Sequence, residues 1–278
     1  MKSSASARVV LRLGHLVTVV LVVVFLVPFY FVFVNSFKPL GEILTNTAGL
    51  PAHWDFQNFP RTFQILSFGQ VLLSSFIVTA LTVLGLVFFS ATAAYQLLRQ
   101  ATRTNRVLFS VLVASMIIPF PSLMIPLVTT AGKLGIQNSY AGLVLTYLGL
   151  GLPFAIFLYH GFIKSIPVEI EEAAIIDGCG PHSVFWRVVF PLLQPITVTV
   201  ALLNGLQVWN DFLLPSLILS RKALWTIPLS INSLFSQYNQ QWDKALPGLA
   251  MSILPVLAMF LFAQKHIITG ISQGAIKG

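Results

Sequence analysis

The sequence predicts an all-α integral membrane protein with six transmembrane helices. Of its 278 residues, 56% are apolar and only 9% are charged, whereas a soluble domain carries about a quarter charged residues. The apolar residues form long continuous runs and lack the alternating pattern of a membrane barrel. Helices satisfy their own backbone hydrogen bonds inside a bilayer, so we interpret these runs as helices.

Six apolar runs reach the length of about 20 residues that a helix needs to cross a bilayer. They occupy 16–37, 70–98, 107–130, 140–163, 194–219 and 246–267. The predicted organisation is a cytoplasmic N-terminus (1–15), a first transmembrane helix (16–37), an external loop (38–69), a five-helix core (70–267) that includes a cytoplasmic loop (164–195), and a C-terminal tail (268–278).

The first run follows Lys2, Arg8 and Arg12, as the apolar region of a signal peptide would. It is longer than such a region, and no cleavage site of the A-x-A type follows it. We therefore interpret it as a membrane anchor.

Basic residues predict the orientation because they are retained on the cytoplasmic side. With the N-terminus inside, ten of the sixteen Lys and Arg residues are cytoplasmic, including Arg99, Arg103 and Arg106. Both termini and the 164–195 loop are then cytoplasmic. The basic residues form no patch, so the net charge of +8 indicates membrane topology and no nucleic-acid partner.

Aromatic residues are frequent in the predicted external loop, which contains Trp54, Phe56, Phe59 and Phe63. Such residues anchor a protein at the membrane interface or dock a partner, and the sequence leaves both readings open.

Prolines mark the third span at Pro119, Pro121 and Pro126. Each removes a backbone donor and can kink the helix. The freed carbonyls fit a helix beside a water-filled pathway, and a bent packing helix explains them equally well.

Inside the spans, charge is nearly absent, and Asp211 is the one ionised group placed at membrane depth. It would lie roughly 25 Å from the cytoplasmic end of its span. An intramembrane carboxylate indicates either the transport path or a structural pair. Asn204, Gln207 and Asn210 belong to the same helix, and such amides bind solute or hydrogen-bond to neighbouring helices.

No energy source or catalytic site is recognisable in the chain. It lacks a phosphate-binding loop of the G-x-x-x-x-G-K-[ST] type, a ladder of buried acidic or histidine groups, and a nucleophile-base motif. Its single cysteine, Cys179, excludes an internal disulfide, and no Cys/His cluster has metal-ligand spacing. A transport protein of this kind would depend on another protein for energy.

The 164–195 loop holds four of the eight acidic residues of the chain, at Glu169, Glu171, Glu172 and Asp177. Pro167 is suited to the first turn of a helix, and the three glutamates favour its positive end. Gly178 is a natural residue to end that helix, because it tolerates positive φ.

Gly180 and Pro181 then begin a second predicted helix on the membrane surface. Its apolar face comprises Phe185, Val188, Val189 and Leu192, and Pro191 and Pro195 mark the transition into the fifth span. The carboxylates could pair with basic groups of a partner protein. A generic amphipathic surface loop has a similar periodicity.

The identities and spacing of the residues in this loop are more informative than its hydrophobic periodicity. Glu172-Ala173-Ala174, Asp177-Gly178, Phe185, Pro191 and Pro195 resemble the EAA loop of ABC importer permeases in order and spacing. The Trp209–Phe212 and Gly274–Gly278 stretches are similar to the carbohydrate-uptake branch, in particular the smaller permease of maltose-type systems. The resemblance covers about Phe68 to Gly278, with Cys179 replacing a common alanine and Ile271-Ser272-Gln273 replacing small residues.

The resemblance implies a type I ABC importer permease fold with a coupling helix between helices 4 and 5. It implies no cofactor in this chain, with ATP and Mg bound by partner ATPase subunits. The residues it assigns to ATPase coupling are Glu171, Glu172, Ala173, Ala174, Asp177, Gly178, Phe185, Pro191 and Pro195. Those of the C-terminal contact are Gly274, Ala275, Lys277 and Gly278. The residues considered for the path are Pro119, Pro121, Asn204, Gln207, Asn210 and Asp211.

The implied partners are a second, non-identical permease, a dimer of ATP-binding subunits and an extracellular or periplasmic sugar-binding protein. The expected location is a bacterial inner membrane, in contact with lipid, and the expected substrate is a sugar or oligosaccharide. An ABC permease for another solute such as glycerol phosphate is the first alternative. A secondary carrier or a membrane-embedded enzyme is disfavoured by the missing ionisable groups and catalytic pair.

Overall fold

The computed structural model describes residues 5–235 and 240–275, and over these residues the chain is helical. The helices are α1 (Ala5–Asn35), α2 (Leu40–Thr45), α3 (Asn58–Ile65), α4 (Phe68–Arg99), α5 (Arg103–Ser115), α6 (Phe120–Lys133), α7 (Tyr140–Ile163), α8 (Glu169–Ile176), α9 (Pro181–Ser183), α10 (Phe190–Leu192), α11 (Gln194–Asn210), α12 (Leu213–Ile218), α13 (Ile227–Asn232) and α14 (Trp242–Ala275). A π-helical segment (Val184–Val189) joins α9 to α10, and a short 3₁₀ turn (Lys222–Leu224) precedes α13.

Three helices of the described residues are long and apolar enough to cross a membrane, at Leu11–Asn35, Phe68–Arg99 and Tyr140–Ile163. Two bent pairs of helices raise the number to as many as five if each pair is one span. The three helices and the first bent pair overlap the predicted first, second, third and fourth runs. The second bent pair, Pro181–Leu192 with Gln194–Asn210, begins inside the predicted cytoplasmic loop and covers only part of the predicted fifth run, 194–219. The sixth predicted run, 246–267, lies within α14, and the count of six stays a prediction.

The third predicted span is broken, which a kinked continuous helix does not describe. α5 ends at Ser115 and α6 begins at Phe120, and the two axes differ by 106°. Pro119 is the N-cap of α6 and Pro121 lies in its first turn, where a proline needs no backbone donor. Pro126 is accommodated inside α6. Pro119 and Pro121 therefore mark the start of a new helix.

The fifth predicted span is also interrupted. α11 ends at Asn210, and Asp211 has extended backbone angles (φ −75°, ψ 127°). α12 then begins at Leu213, so the predicted run 194–219 contains two helices. Asp211 consequently lies at a break in the backbone, where unpaired peptide groups need side-chain partners.

The chain forms two compact units, Met1–Phe68 with Ile231–Leu254 and Gly69–Ser230 with Pro255–Gly278. In the first unit, the side chains of α1 from Leu11 to Tyr30 are exposed, as expected for a helix surrounded by lipid or by another chain. The remaining loop is built around Lys38, which is fully buried. Its Nζ donates to the carbonyl oxygens of Asn46 and Gly49, both at 2.6 Å.

Three aromatic residues of the predicted external loop gather around the ring of Phe37, whereas Phe63 packs against Phe68. Phe37 lies 5.1 Å from Trp54, 5.2 Å from Phe56 and 5.0 Å from Phe59, measured between ring centroids. Trp54 and Phe56 nevertheless stay 49% and 65% exposed. They contribute to the packing of the loop and still present apolar surface.

The second unit has two apolar cores that position the functional segments. One core packs α4 and α7 against the 164–195 loop and the start of α11, through Ala91, Ala94, Ala155, Ile156, Tyr159, Ile163, Ile166, Ala174, Val184, Phe185, Val189, Leu193 and Val200. The other contains Tyr147, Val208, Leu214 and Ile218 and encloses the break between α11 and α12. Each predicted site is therefore attached to a packed interior.

Candidate functional site

The helix α8 is the first half of the 164–195 loop, which we call the coupling loop. Glu169, Glu171 and Glu172 lie in its first turn, where negative charge favours the helix dipole. Pro167 and Val168 precede α8, so the helix begins slightly later than the position of the proline predicts. Glu171 and Ala174 are the buried residues of α8, which is described over its whole length.

The C-terminus of α8 forms a Schellman motif at Gly178. The N–H of Gly178 donates to the carbonyl of Ile175, and the N–H of Cys179 donates to that of Ala174, both at 3.0 Å. Gly178 has φ +88°, a conformation that residues with a Cβ rarely adopt. The predicted glycine turn is confirmed, and Asp177 is the C-cap just before it.

Glu171 is held inside the protein by two residues of α4. Its Oε1 forms an ion pair with Arg99, 2.6 Å from Nη2 and 2.8 Å from Nε. Its Oε2 accepts from the hydroxyl of Tyr95 at 2.8 Å, and Arg99 Nη2 also donates to the carbonyl of Ile166 at 3.2 Å. Sequence reasoning grouped Glu171 with the outward carboxylates; the structure points it inwards, because Arg99 and Tyr95 lie on its side of α8.

The opposite side of α8 is open. Glu172 and Ala173 are exposed, and so is Asp177 at the end of the helix. Ile175 and Ile176 are apolar and yet 58% and 85% exposed. Exposed apolar side chains beside carboxylates on a loop are typical of a protein interaction surface.

The second half of the coupling loop packs against the first core. Gly180 is the N-cap and Pro181 the first residue of α9, as predicted. Phe185 and Val189 are buried as predicted, but Leu192 is 43% exposed, so its predicted place in the buried apolar face is wrong. The π-helical turn at Val184–Val189 widens the spacing and moves Leu192 out of register.

Pro191 and Pro195 start new helical segments after the π turn. Pro191 lies in the first turn of α10, and Pro195 lies in the first turn of α11. The axis turns by 73° at Leu193, between the two segments. The prolines therefore mark the transition that the sequence predicts.

A polar cavity of about 590 Å³ lies in the second unit. Asn204, Gln207, Asn210 and Asp211 line it together with Tyr147, among apolar residues that include Leu86, Ile118 and Phe120. The structure thus brings together all four polar residues that the sequence proposes for a path. Pro119 and Pro121 flank the lining residue Phe120 and are not among the lining residues themselves.

Asp211 is the charged member of the cavity lining and also a structural group. Its Oδ2 accepts from the hydroxyl of Tyr147, and its Oδ1 accepts from the N–H of Leu213, both at 2.8 Å. The second bond caps the start of α12, so the carboxylate compensates the backbone break. These contacts confirm the structural interpretation of Asp211, and its place in a transport path stays a prediction.

The amides of α11 use their nitrogens within their own helix. Asn204 Nδ2 donates to the carbonyl of Val200, and Asn210 Nδ2 donates to that of Leu206, both at 2.8 Å. These bonds differ from the helix-to-helix contacts expected for buried amides. They orient Asn204 and Asn210 at the cavity wall.

Tyr147, Tyr95 and Arg99 are site residues that the sequence reasoning did not select. Each lies far along the chain from the carboxylate it contacts, so no local motif connects them. Gly274 and Ala275 are helical in α14, whereas Lys277 and Gly278 lie outside the described residues. Within residues 5–235 and 240–275, no group of three His, Cys, Asp or Glu could hold a metal ion.

Comparisons with known proteins place this geometry in context. A family model for the binding-protein-dependent transport system inner membrane component matches residues 87–266. The probable starch degradation products transport system permease protein of Thermoanaerobacterium thermosulfurigenes is 39% identical over 259 residues, which cover 93% of this chain and 94% of that protein. The melibiose/raffinose/stachyose import permease protein of Bacillus subtilis is 32% identical, with 96% and 97% covered.

A solved structure has the same fold. A chain of a bacterial ABC transporter involved in the import of the acidic polysaccharide alginate superposes with a TM-score of 0.81. The match covers 95% of this chain and 99% of that chain at 22% sequence identity.

Proposed function

This chain belongs to the family of binding-protein-dependent transport system inner membrane components, the permease subunits of ABC importers, and on that premise we propose that it carries neutral sugars or oligosaccharides across a bacterial cell membrane. It is a transport subunit, and the ATPase of such an importer resides in separate partner subunits. The relatives at 39% and 32% identity are named for starch degradation products and for melibiose, raffinose and stachyose, and this supports a sugar substrate.

The complete importer would contain this chain, a second and non-identical permease, a dimer of subunits that bind ATP and Mg, and an external sugar-binding protein. We propose six transmembrane helices with both termini in the cytoplasm, a topology that places the coupling loop on the ATPase side. We propose the same domain boundaries that the sequence predicts, with the loop 38–69 outside and the tail 268–278 inside. The tail residues Gly274, Ala275, Lys277 and Gly278 would contact the ATPase.

The exposed side of α8 is the observation that carries the proposal that this chain works with a partner ATPase. Glu172, Ala173 and Ile176 face away from the core, and Ile176 is 85% exposed. A loop that is otherwise anchored in the core has no internal need for such a side chain in water. Burial in a groove of an ATPase subunit would stabilise it, since covering an isoleucine contributes about 1.5–3 kcal/mol.

The polar cavity supports a neutral substrate. Asp211 is its charged residue, and the described lining contains no lysine or arginine. Amide and hydroxyl groups match the hydroxyls of a sugar, whereas an anion such as glycerol phosphate would favour basic groups. The amides of Asn204, Gln207 and Asn210 and the carboxylate of Asp211 would form the polar side of the path.

The docking part of the proposal is tested with the variant Ile176→Ala in the complete complex. We expect the ATPase subunit to be recovered with the tagged permease at least about tenfold less well, since the lost contact is worth about 1.5–3 kcal/mol. Ile125→Ala is the matched control, because Ile125 is 81% exposed on α6, away from the coupling loop. Equal recovery in the two variants would contradict docking through α8.

The substrate part is tested with the purified complex in proteoliposomes, together with its binding protein. A neutral oligosaccharide is expected to stimulate ATP hydrolysis and to accumulate inside, and an oligosaccharide of uronic acids is expected to do neither. Uptake of the uronate alone would contradict a neutral path.

A further inference from the structure

The last turns of α4 contact both halves of the coupling loop. The hydroxyl of Tyr95 donates to Glu171 in α8, and its ring lies 4.9 Å from the ring of Phe185 in the second half. Arg99, the last residue of α4, binds Glu171 and the carbonyl of Ile166 just before α8. One end of a single helix therefore holds three points of the loop.

The helix α8 also packs against the π-helical segment Val184–Val189, but it buries few side chains. Of its eight residues, Glu171 and Ala174 are the buried ones. Apolar packing of this kind has no direction, so it attaches the helix without setting its angle. The guanidinium of Arg99 approaches through two nitrogens, Nε and Nη2, and such a charged, planar contact fixes an angle as well as a distance.

The need to attach α8 to α4 does not by itself explain why the contact is a buried ion pair. The side chains of Glu171 and Arg99 are only 7% and 18% exposed, so both charges lose most of their water. Apolar residues of the same volume attach two elements as well as a buried ion pair does, or better. What the ion pair adds is a defined geometry, here supported by the hydroxyl of Tyr95.

The helix α4 also reaches the polar cavity, through a residue near its middle. α4 is a helix of 32 residues without an internal proline, and it includes Leu86 in the cavity lining. Leu86 lies about 20 Å along the axis from Arg99 at 1.5 Å per residue. A helix without a break passes on a rotation or shift of its end along its length.

We propose that Tyr95, Arg99 and Glu171 are positioning residues, which together we call the joint, and that the joint makes α8 and α4 move as one body. Movement of α8 imposed by the ATPase is then passed through α4 to the cavity wall. In this assignment Glu171 is an internal strut, and the docking carboxylate of α8 is Glu172. The inference rests on the proposed function, because it needs an ATPase that moves α8.

The test compares sugar uptake with ATP hydrolysis in proteoliposomes that contain the complete importer. The variant Glu171→Gln keeps the shape of the side chain and removes the ion pair. We expect the number of sugar molecules imported per ATP to fall by about tenfold or more, because hydrogen bonds to charged groups are the strong ones. The charge-reversed pair Arg99→Glu with Glu171→Arg is expected to recover part of that ratio.

Arg103→Gln is the matched control, since Arg103 is exposed and begins the next helix. Its ratio of sugar to ATP is expected to equal that of the unmodified protein. An intact Glu171→Gln complex with an unchanged ratio would overturn the inference. A parallel loss of uptake and hydrolysis, in proportion to the loss of intact complex, would also overturn it, because that pattern indicates structural support alone.

A milder variant decides the matter if Glu171→Gln does not assemble. Tyr95→Phe removes one hydroxyl and leaves the ion pair in place, so we expect an intact complex and a ratio lowered by roughly two- to tenfold. An unchanged ratio would overturn the inference. If the unmodified importer hydrolyses ATP but imports no sugar, the proposed function fails, and this result is distinct from the failure of the joint.

Discussion

The joint and the cavity use the same pair of groups in different surroundings. In the joint, the carboxylate of Glu171 accepts from the hydroxyl of Tyr95 at 2.8 Å. In the cavity, the carboxylate of Asp211 accepts from the hydroxyl of Tyr147, also at 2.8 Å. Glu171 has Arg99 as counter-charge, whereas no ion pair to Asp211 is found in the described residues.

This difference separates the proposed mechanical contact at Glu171 from the proposed path residue Asp211. The charge of Glu171 is neutralised in a dry place, so its contacts are strong and directional. Asp211 is only partly buried and lines an open cavity of about 590 Å³. In the proposed path its charge would be available to water and solute, while its Oδ1 caps α12. The carboxylate that is held in one position, Glu171, therefore has a counter-ion, whereas the partly exposed carboxylate, Asp211, has none among the described residues.

The largest effect is expected from removal of the counter-ion. Arg99→Ala leaves the carboxylate of Glu171 buried without its partner, and breaking a buried pair costs about 3–5 kcal/mol of stability. The free energy of unfolding, measured by denaturant titration in mixed micelles, is expected to fall by that amount. Arg103→Ala is the control, with a change within about 0.5 kcal/mol, as is usual for surface substitutions.

Equal losses in Arg99→Ala and Arg103→Ala would break the comparison. They would mean that the ion pair adds nothing that an exposed arginine does not add. The Tyr95 contact alone would then have to orient α8.

The sequence predicted the parts of the fold that depend on local chemistry. Apolar runs identified α1, α4 and α7, because a membrane-spanning helix must satisfy its backbone internally and be apolar over about 20 residues. The end of α8 and the start of α9 were predicted for equally local reasons. Gly178 tolerates a positive φ, and Pro181 lacks a backbone donor that the first turn of a helix does not need. The breaks at Pro119 and Asp211 were not predicted as separate helices, since composition stays apolar across them.

The sequence predicted the carboxylates of the site but did not predict the residues that contact them. Glu171 and Asp211 stand out because acidic residues are rare in this chain. Arg99 looked like a topological charge, and Tyr95 and Tyr147 looked like ordinary residues of apolar helices. Their roles depend on contacts between residues more than 60 positions apart, which no periodicity reveals. The direction of Glu171 required the packed structure for the same reason.

A smaller loss of stability, but a large loss of function, is expected at the turn of the coupling loop. Gly178→Asp places a Cβ at φ +88°, where nothing lies within 4 Å of it, so strain and not a clash is the cost. A left-handed residue costs about 1–2 kcal/mol. We expect membrane insertion to persist and ATP-dependent uptake to be abolished, as measured by transport in vesicles and by a pull-down of the ATPase.

Gly180→Asp is the control for that variant. Gly180 also has open space around the position of its Cβ, but its φ of −71° suits any residue. Normal uptake is expected, since aspartate is a favourable N-cap for the following helix. Normal uptake in Gly178→Asp itself would contradict the proposal that this turn transmits the ATPase movement.

The smallest change in stability is expected from substitution of Tyr147 in the cavity. This variant also gives the most direct comparison between Asp211 and Glu171. Tyr147→Phe removes one hydrogen bond from Asp211, with an expected loss of about 0.5–1.5 kcal/mol in unfolding free energy. Tyr159→Phe in the same helix is its control, because Tyr159 bonds to Thr197 at 2.9 Å and is not among the cavity-lining residues. At saturating sugar, Tyr147→Phe is expected to slow uptake by roughly two- to tenfold with the number of sugars imported per ATP unchanged, because the joint is intact. Tyr95→Phe is expected to lower that number instead, so an identical phenotype in the two tyrosine variants would mean that the two contacts do the same task.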